Sequence, residues 1–207
     1  DVPLDIQSKK FVKKKKIRKI IKKVNYSKVE SDKISKALKM IKNSKRPLIL
    51  VGNGVHISKA EKRFLNFLKK TNLPFTSTWN ASVIAPSNHK FYFGRPGLFG
   101  NRVANFAIQS CDLLLILGSR LSVPITGYQM KNFSPLSKKI YVDIDEHEIK
   151  KRGLKTKISI KCDLKLFLGQ LNKFLQNKNQ ITKIDWQKKL LKLKNDFNEN
   201  NSYKSPK

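Results

Sequence analysis

Asp112-Leu-Leu-Leu-Ile-Leu-Gly118 is the segment that most restricts what this chain can fold into. Five apolar residues in a row leave neither face of a strand polar, so both faces must be covered. Pro47-Leu-Ile-Leu-Val51 is a second such run, and it ends at Gly52-Asn53-Gly54. Leu73 to Thr78, Lys139 to Asp145 and Ile158 to Cys162 read as three more strands. Amphipathic stretches separate them. Ser31 reads as the N-cap of a helix with the stripe Ile34, Ala37, Leu38 and Ile41, broken at Arg46-Pro47. Ser58 reads as the cap of a helix to about Lys70, with Ile57, Ala60, Phe64, Leu65 and Leu68 on one face. A long loop from Trp79 to Arg102 leads to a short helix, Asn101 to Ser110, burying Val103, Phe106 and Ala107. Asp163 caps a further helix to about Asn177, with Leu164, Phe167, Leu168 and Leu171 inward. Twice-buried strands alternating with helices predict an α/β fold: a doubly wound parallel sheet of five or six strands. Residues 1–30 read as a basic linker, 31–177 as the domain, and 178–207 as a linker with a helix at Ile184 to Phe197.

The charge is lopsided, with 45 Lys+Arg against 14 Asp+Glu for a net +31. Lysines on a face attract phosphates and release counterions, which raises a polyanion-binding reading. The excess runs along the whole chain, however, and 38 of the basic residues are Lys, whereas base reading and phosphate forks favour Arg. A solvated lysine-rich surface is the reading adopted, with no specific nucleic-acid partner. The local exception is Lys9 to Lys23, ten basic residues in fifteen, which suits either a polyanion or an extended linker. No apolar run is long enough for a membrane helix, and no secretory signal follows Asp1, so a cytoplasmic protein is expected. Cys111 and Cys162 cannot build a disulfide framework and read as small core residues.

Candidate ligand residues gather at the strand exits, where doubly wound sheets bind. Gly52 and Gly54 resemble the start of a dinucleotide fingerprint whose third glycine is replaced by Ile57. Gly94-Arg-Pro-Gly-Leu-Phe-Gly100 allows close backbone approach and leads into a helix N-terminus. Arg120 follows the best strand, where a guanidinium meets phosphate or carboxylate, and is expected in a cleft with Gly97 and Asp143. Asp143 and Asp145 alternate on a strand end and suit ribose hydroxyls. His56, His89 and His147 are scattered without metal spacing, and no nucleophile–base set is identifiable.

RPLILVGNGV, TSTW, GRPGLFGNRVANFAIQSCDLLLILGSRL and ITGY…KKIYVDID together resemble the central domain of thiamine-diphosphate-dependent enzymes of the acetolactate synthase type. The resemblance runs from about Ser31 to Asn177. It implies a DHS-like nucleotide-binding fold, and a chain that is one piece of a three-domain transferase which decarboxylates a 2-oxo acid and transfers the acyl carbanion. Thiamine diphosphate and Mg²⁺ would then be held by flanking domains, the parent would be a homodimer or homotetramer, and this piece alone would be inactive. In such a domain FAD or ADP is bound, or nothing. By the same resemblance Gly52 and Gly54 match the first glycine turn of the FAD site, and Thr78 and Trp79 its second strand exit. Gly97, Leu98 and Phe99 match a Gly-Met-His stretch, Arg120 a strand-exit arginine, and Asp143, Ile144 and Asp145 the adenosine end. Flavin-binding members carry Asp-Asp-Arg where this chain has Ser122-Val123-Pro124, which counts against FAD. The alternatives are a free-standing nucleotide-binding module and a polyanion-binding basic protein.

Overall fold

The computed structural model describes residues 3–10, 31–175 and 181–197. Most of the 9–23 basic block therefore lies outside the described residues. Five parallel strands, β1 (Pro47–Val51), β2 (Phe75–Ser77), β3 (Leu113–Leu117), β4 (Lys138–Asp143) and β5 (Ile158–Lys161), form one sheet in the order β2-β1-β3-β4-β5. Register pairs Pro47 with Leu113, Leu113 with Lys138, and Ile140 with Ile158. The helices are α1 (Leu4–Gln7), whose residues are all exposed, and, around the sheet, α2 (Ser31–Asn43), α3 (Gly54–Ile57), α4 (Glu61–Thr71), α5 (Arg102–Ser110), α6 (Val123–Thr126), α7 (Glu146–Ile149), α8 (Leu164–Phe174) and α9 (Ile184–Asp196).

Successive side chains of a strand point to opposite faces, and each face has its own core. Ile49, Val51, Leu115, Leu117, Ile140 and Val142 meet Ile34 of α2, Phe64 and Phe67 of α4, and Phe167 and Leu171 of α8. Leu48, Leu50, Leu114, Ile116 and Tyr141 meet Val103 and Ala107 of α5 and Trp186 and Leu190 of α9. The sheet is thus doubly wound, with five strands. Trp186 anchors α9 by donating its indole N–H to the Pro47 carbonyl at 3.1 Å. Among the described residues no helix is long and apolar enough to cross a membrane.

Two local readings change. Ser58 does not cap α4, whose N-cap is Ala60: it is the C-cap of α3, its hydroxyl donates to the Val55 carbonyl, and Lys59, at φ 54°, turns the chain between α3 and α4. That left-handed residue breaks the phase between the two helices, so Ile57 is 73% exposed instead of joining the Phe64 face. Asp145 lies beyond β4, which ends at Asp143. It is the N-cap of α7 and accepts from the His147 N–H at 2.8 Å, while Asp143 accepts from the Asp145 N–H at 3.0 Å. The two carboxylates therefore build a turn and a cap, not one strand face. Asp163 and Asn101 do cap α8 and α5, accepting from Lys165 and from Ala104.

Candidate functional site

Chain direction reverses about β1: the sequence goes out to β2 and returns to β3 on the other side. The connections that follow β1 and β3 pack on opposite faces of the sheet, Phe64 and Phe67 on one and Leu121 and Phe133 on the other, which opens a crevice at the carboxyl ends of the strands. A cleft of about 1030 Å³ lies at this place.

The glycines at the exits hold the two strands together. The Gly54 N–H donates to the Gly118 carbonyl at 2.9 Å, and the Gly52 N–H to Leu117 at 2.8 Å. A Cβ on Gly52 would sit 2.2 Å from the Gly118 oxygen, and Gly118 itself has φ +57°. Only glycine fits this approach. Gly54 also lines the cleft, together with Asn53; Gly52 lies behind it and is not a lining residue.

Of the other sequence candidates, Thr78, Trp79, Phe99, Arg120, Asp143, Ile144 and Asp145 line the cleft. Gly97 and Leu98 do not. Gly97 packs on the neighbouring 122–127 loop, where a Cβ would meet the Pro124 oxygen at 2.3 Å, and the Leu98 N–H donates to that same oxygen at 2.7 Å. Asn105 fixes the loop further by bonding both the N–H and the carbonyl of Gly97. Gly97 thus serves packing against the 122–127 segment, while Gly94 and Gly100 allow close turns within their own loop, against Asn101 and Arg95. The Phe99 ring of the 94–100 loop, largely exposed, meets Trp79 edge-on at 6.4 Å, and the Arg95 guanidinium lies 5.0 Å over the Trp79 ring.

The opposite wall is acidic. Asp143, Asp145, Glu148 and Asp163 line it, and Arg120 is the one cation among the lining residues. The Arg120 Nε lies 3.4 Å from a Glu148 oxygen, and the Lys151 ammonium binds the other Glu148 oxygen at 2.8 Å. Lys151 also donates to the Arg120 carbonyl at 2.6 Å, so it ties the loop after β3 to α7. Burial pushes the Asp143 carboxyl above its usual value, opposed by the N–H bonds of Asp145 and Ile144, with Glu148 and Asp145 adding to the rise. Burial likewise pushes the Cys162 thiol up to about 12, helped by the Asp163 and Asp143 charges. Cys162 is therefore a thiol at neutral pH and no nucleophile.

Sequence reasoning missed Glu148, Cys162 and Asp163 as lining residues. Glu148 had a signal: it stands three residues after Asp145, one helical turn on, and so shares its side of α7. Asp163 was recognised only as a cap. The lining residues of the cleft include four carboxylates and one guanidinium, and no histidine is among them. Its carboxylates can accept from hydroxyls, and Ile144, Trp79 and Phe99 offer apolar surface to a flat ring. Arg120, with its own N–H and that of Ser119, can donate to an anion, since neither N–H has an acceptor among the described residues. The nucleoside part of FAD or ADP fits this set; their diphosphate finds one cation.

A sheet ordered 2-1-3-4-5 with its cleft at the switch point places the molecule in the doubly wound class whose ligands bind beyond the strand ends. Within that class the chain belongs to the thiamine pyrophosphate enzyme central-domain family, whose model matches residues 34–171. It is 35% identical over 161 residues to a probable acetolactate synthase large subunit of Methanocaldococcus jannaschii, covering 78% of this chain and 27% of that protein. It is 29% identical to the large subunit of acetolactate synthase isozyme 2 of Escherichia coli, covering 79% of this chain and 28% of that one. To the chloroplastic acetolactate synthase 2 of Nicotiana tabacum it is 33% identical, over 74% and 22% of the two chains. The chain thus spans about a quarter of the length of these relatives.

Proposed function

We propose that this chain is the central domain of an acetolactate synthase-like enzyme, a transferase that decarboxylates a 2-oxo acid and passes on the acyl group. Thiamine diphosphate, when bound with Mg²⁺ by flanking domains, supplies the carbanion chemistry. The parent is then a cytoplasmic homodimer or homotetramer. This domain's own part is to hold those neighbours and to bind an adenine nucleotide, ADP or FAD, in the switch-point cleft.

The observation that carries the ligand reading is that Arg120 and Asp143 line one cleft at the exits of β3 and β4. Asp143, Ile144 and Asp145 would hold the adenosine end, and Arg120 with the Ser119 N–H a phosphate. Pro124 stands where flavin-binding relatives carry arginine, so ADP is expected to bind better than FAD. Arg120→Ala tests the assignment by calorimetric titration with ADP. A charge-assisted contact is worth about 1.5–3 kcal/mol, and the 85% exposed Arg120 side chain takes the low end through solvent screening. The expected loss is about tenfold in affinity. Equal ADP binding by both proteins would remove Arg120 from the site; no binding by either would leave the domain a scaffold.

A further inference from the structure

The cleft is built with an imbalance that the nucleotide reading does not explain. Its lining carries four carboxylates, Asp143, Asp145, Glu148 and Asp163, against the single guanidinium of Arg120. That guanidinium is already paired, its Nε standing 3.4 Å from Glu148. Glu148 cannot easily swing away, because Lys151 holds its other oxygen at 2.8 Å and the side chain is 19% exposed. Arg120, at 85%, is the mobile partner of the pair. A ligand phosphate that recruits Arg120 must therefore draw it off a fixed carboxylate and then stand near that carboxylate. A ligand hydroxyl meets no such obstacle, since Asp143 and Asp145, which make no ion pair among the described residues, are acceptors, while both oxygens of Glu148 are taken by Arg120 and Lys151.

We infer that Glu148 is a specificity-determining residue of the cleft: it competes with ligand phosphate for Arg120 and tilts selection toward ligands that present a hydroxyl-rich, weakly charged end over those that present clustered phosphates. The inference rests on the proposed ligand reading only for the identity of the nucleoside; the competition itself is a property of the Arg120–Glu148–Lys151 chain. Lys151 acts through Glu148 as a positioning residue. Its amine also bonds the Arg120 and Leu121 carbonyls, so it fixes the loop backbone while the Arg120 head group stays free to exchange.

Glu148→Gln keeps the size of the side chain and an oxygen for Lys151 while removing the charge. Inorganic pyrophosphate and adenosine are the two probes, titrated separately into the full chain and followed by the NMR signal of the Arg120 Nε–H and by calorimetry. Pyrophosphate is expected to bind E148Q about threefold to tenfold more tightly than the parent chain, the range of one partly screened ion pair, with adenosine unchanged. Asp163→Asn is the companion variant. Asp163 lines the same cleft, makes no ion pair with Arg120 among the described residues, and as Asn keeps its cap on α8. It is expected to gain less than E148Q. Equal gains in the two variants would show a diffuse field and not competition for Arg120, and would overturn the inference. So would an unchanged or weaker pyrophosphate affinity in E148Q, which is also the outcome if Glu148 merely holds the loop in place. If the pyrophosphate arm behaves as expected while adenosine binds neither protein, the competition stands and the adenine reading of the cleft falls.

Discussion

At the scale of single residues, Asp143 shows what the site costs the fold. It lies at the end of β4, where burial disfavours its charged form more strongly than the N–H bonds of Asp145 and Ile144 favour it. A folded-state value above the ordinary 3.8 means that folding favours the proton. At pH below 3.8 both folded and unfolded chains carry the neutral acid, and the penalty is absent. It grows as the pH climbs through the folded-state value and is complete above it. Asp143→Asn, which keeps an acceptor for the Asp145 N–H, is therefore expected to stabilise the domain at neutral pH. Urea unfolding repeated toward pH 3.8 should show the advantage shrinking; an advantage that widens as the pH falls would contradict the burial argument. Asp143, Arg120 and Gly54 stand at strand exits that are visible in the sequence as apolar runs ending in glycine or aspartate, whereas Trp79 is marked only by the family resemblance. The sequence could not locate Cys162 in the wall, since that depends on how far β5 extends beside β4. Nor could it separate Gly97 from the cleft, because the contact of Gly97 with Pro124 joins loops far apart in the chain.

The legibility of an element follows how its neighbours cover it. Strands β1 and β3 are apolar on both faces, so their sequences announce burial without any knowledge of what packs on them. Helices α4 and α8 carry broad stripes, four and five buried residues each, and were readable for that reason. In α9 the buried positions are only Trp186, Gln187 and Leu190 within IDWQKKLLKLKND, and lysines mask them. The sequence thus presents α9 as part of a tail, whereas it covers Leu48, Leu114 and Tyr141 beside α5. Trp186 is 3% exposed and hydrogen-bonded to the strand that opens the sheet. Trp186→Ala is expected to cost about 3–5 kcal/mol, the range for deleting a large core aromatic. A chain ending at residue 177 loses the whole helix and is expected to expose the second core, seen as strong binding of a hydrophobic dye. A truncated chain that melts like the full one, or a Trp186 substitution worth under about 1 kcal/mol, would show that α9 merely rests on the domain.

At the scale of the whole molecule, the charge and the cleft point in opposite directions. The chain carries +31 overall, yet the lining of the switch-point cleft is acidic. Cations spread over the surface attract any polyanion, and each neutralised phosphate releases a counterion, so such binding falls steeply with salt. Recognition in the cleft depends on hydroxyl acceptors, an apolar wall and one guanidinium, and it displaces few counterions. Salt therefore separates the two modes in one preparation. Between 50 and 200 mM salt, binding of a mixed-sequence DNA duplex is expected to fall by roughly 10³-fold or more if six or more phosphates are engaged. ADP affinity over the same range is expected to change by less than about tenfold, since at most one ligand phosphate group is paired. A chain beginning at Asn25 lacks the ten basic residues of 9–23 and should lose most of the DNA affinity while keeping that for ADP. Competition would show the same division, with DNA failing to displace ADP. If DNA and ADP instead compete, share one salt slope and fall together on truncation, the ligand of this domain is drawn by its surface charge. The switch-point cleft would then be only the space left where the connections after β1 and β3 part to opposite faces of the sheet.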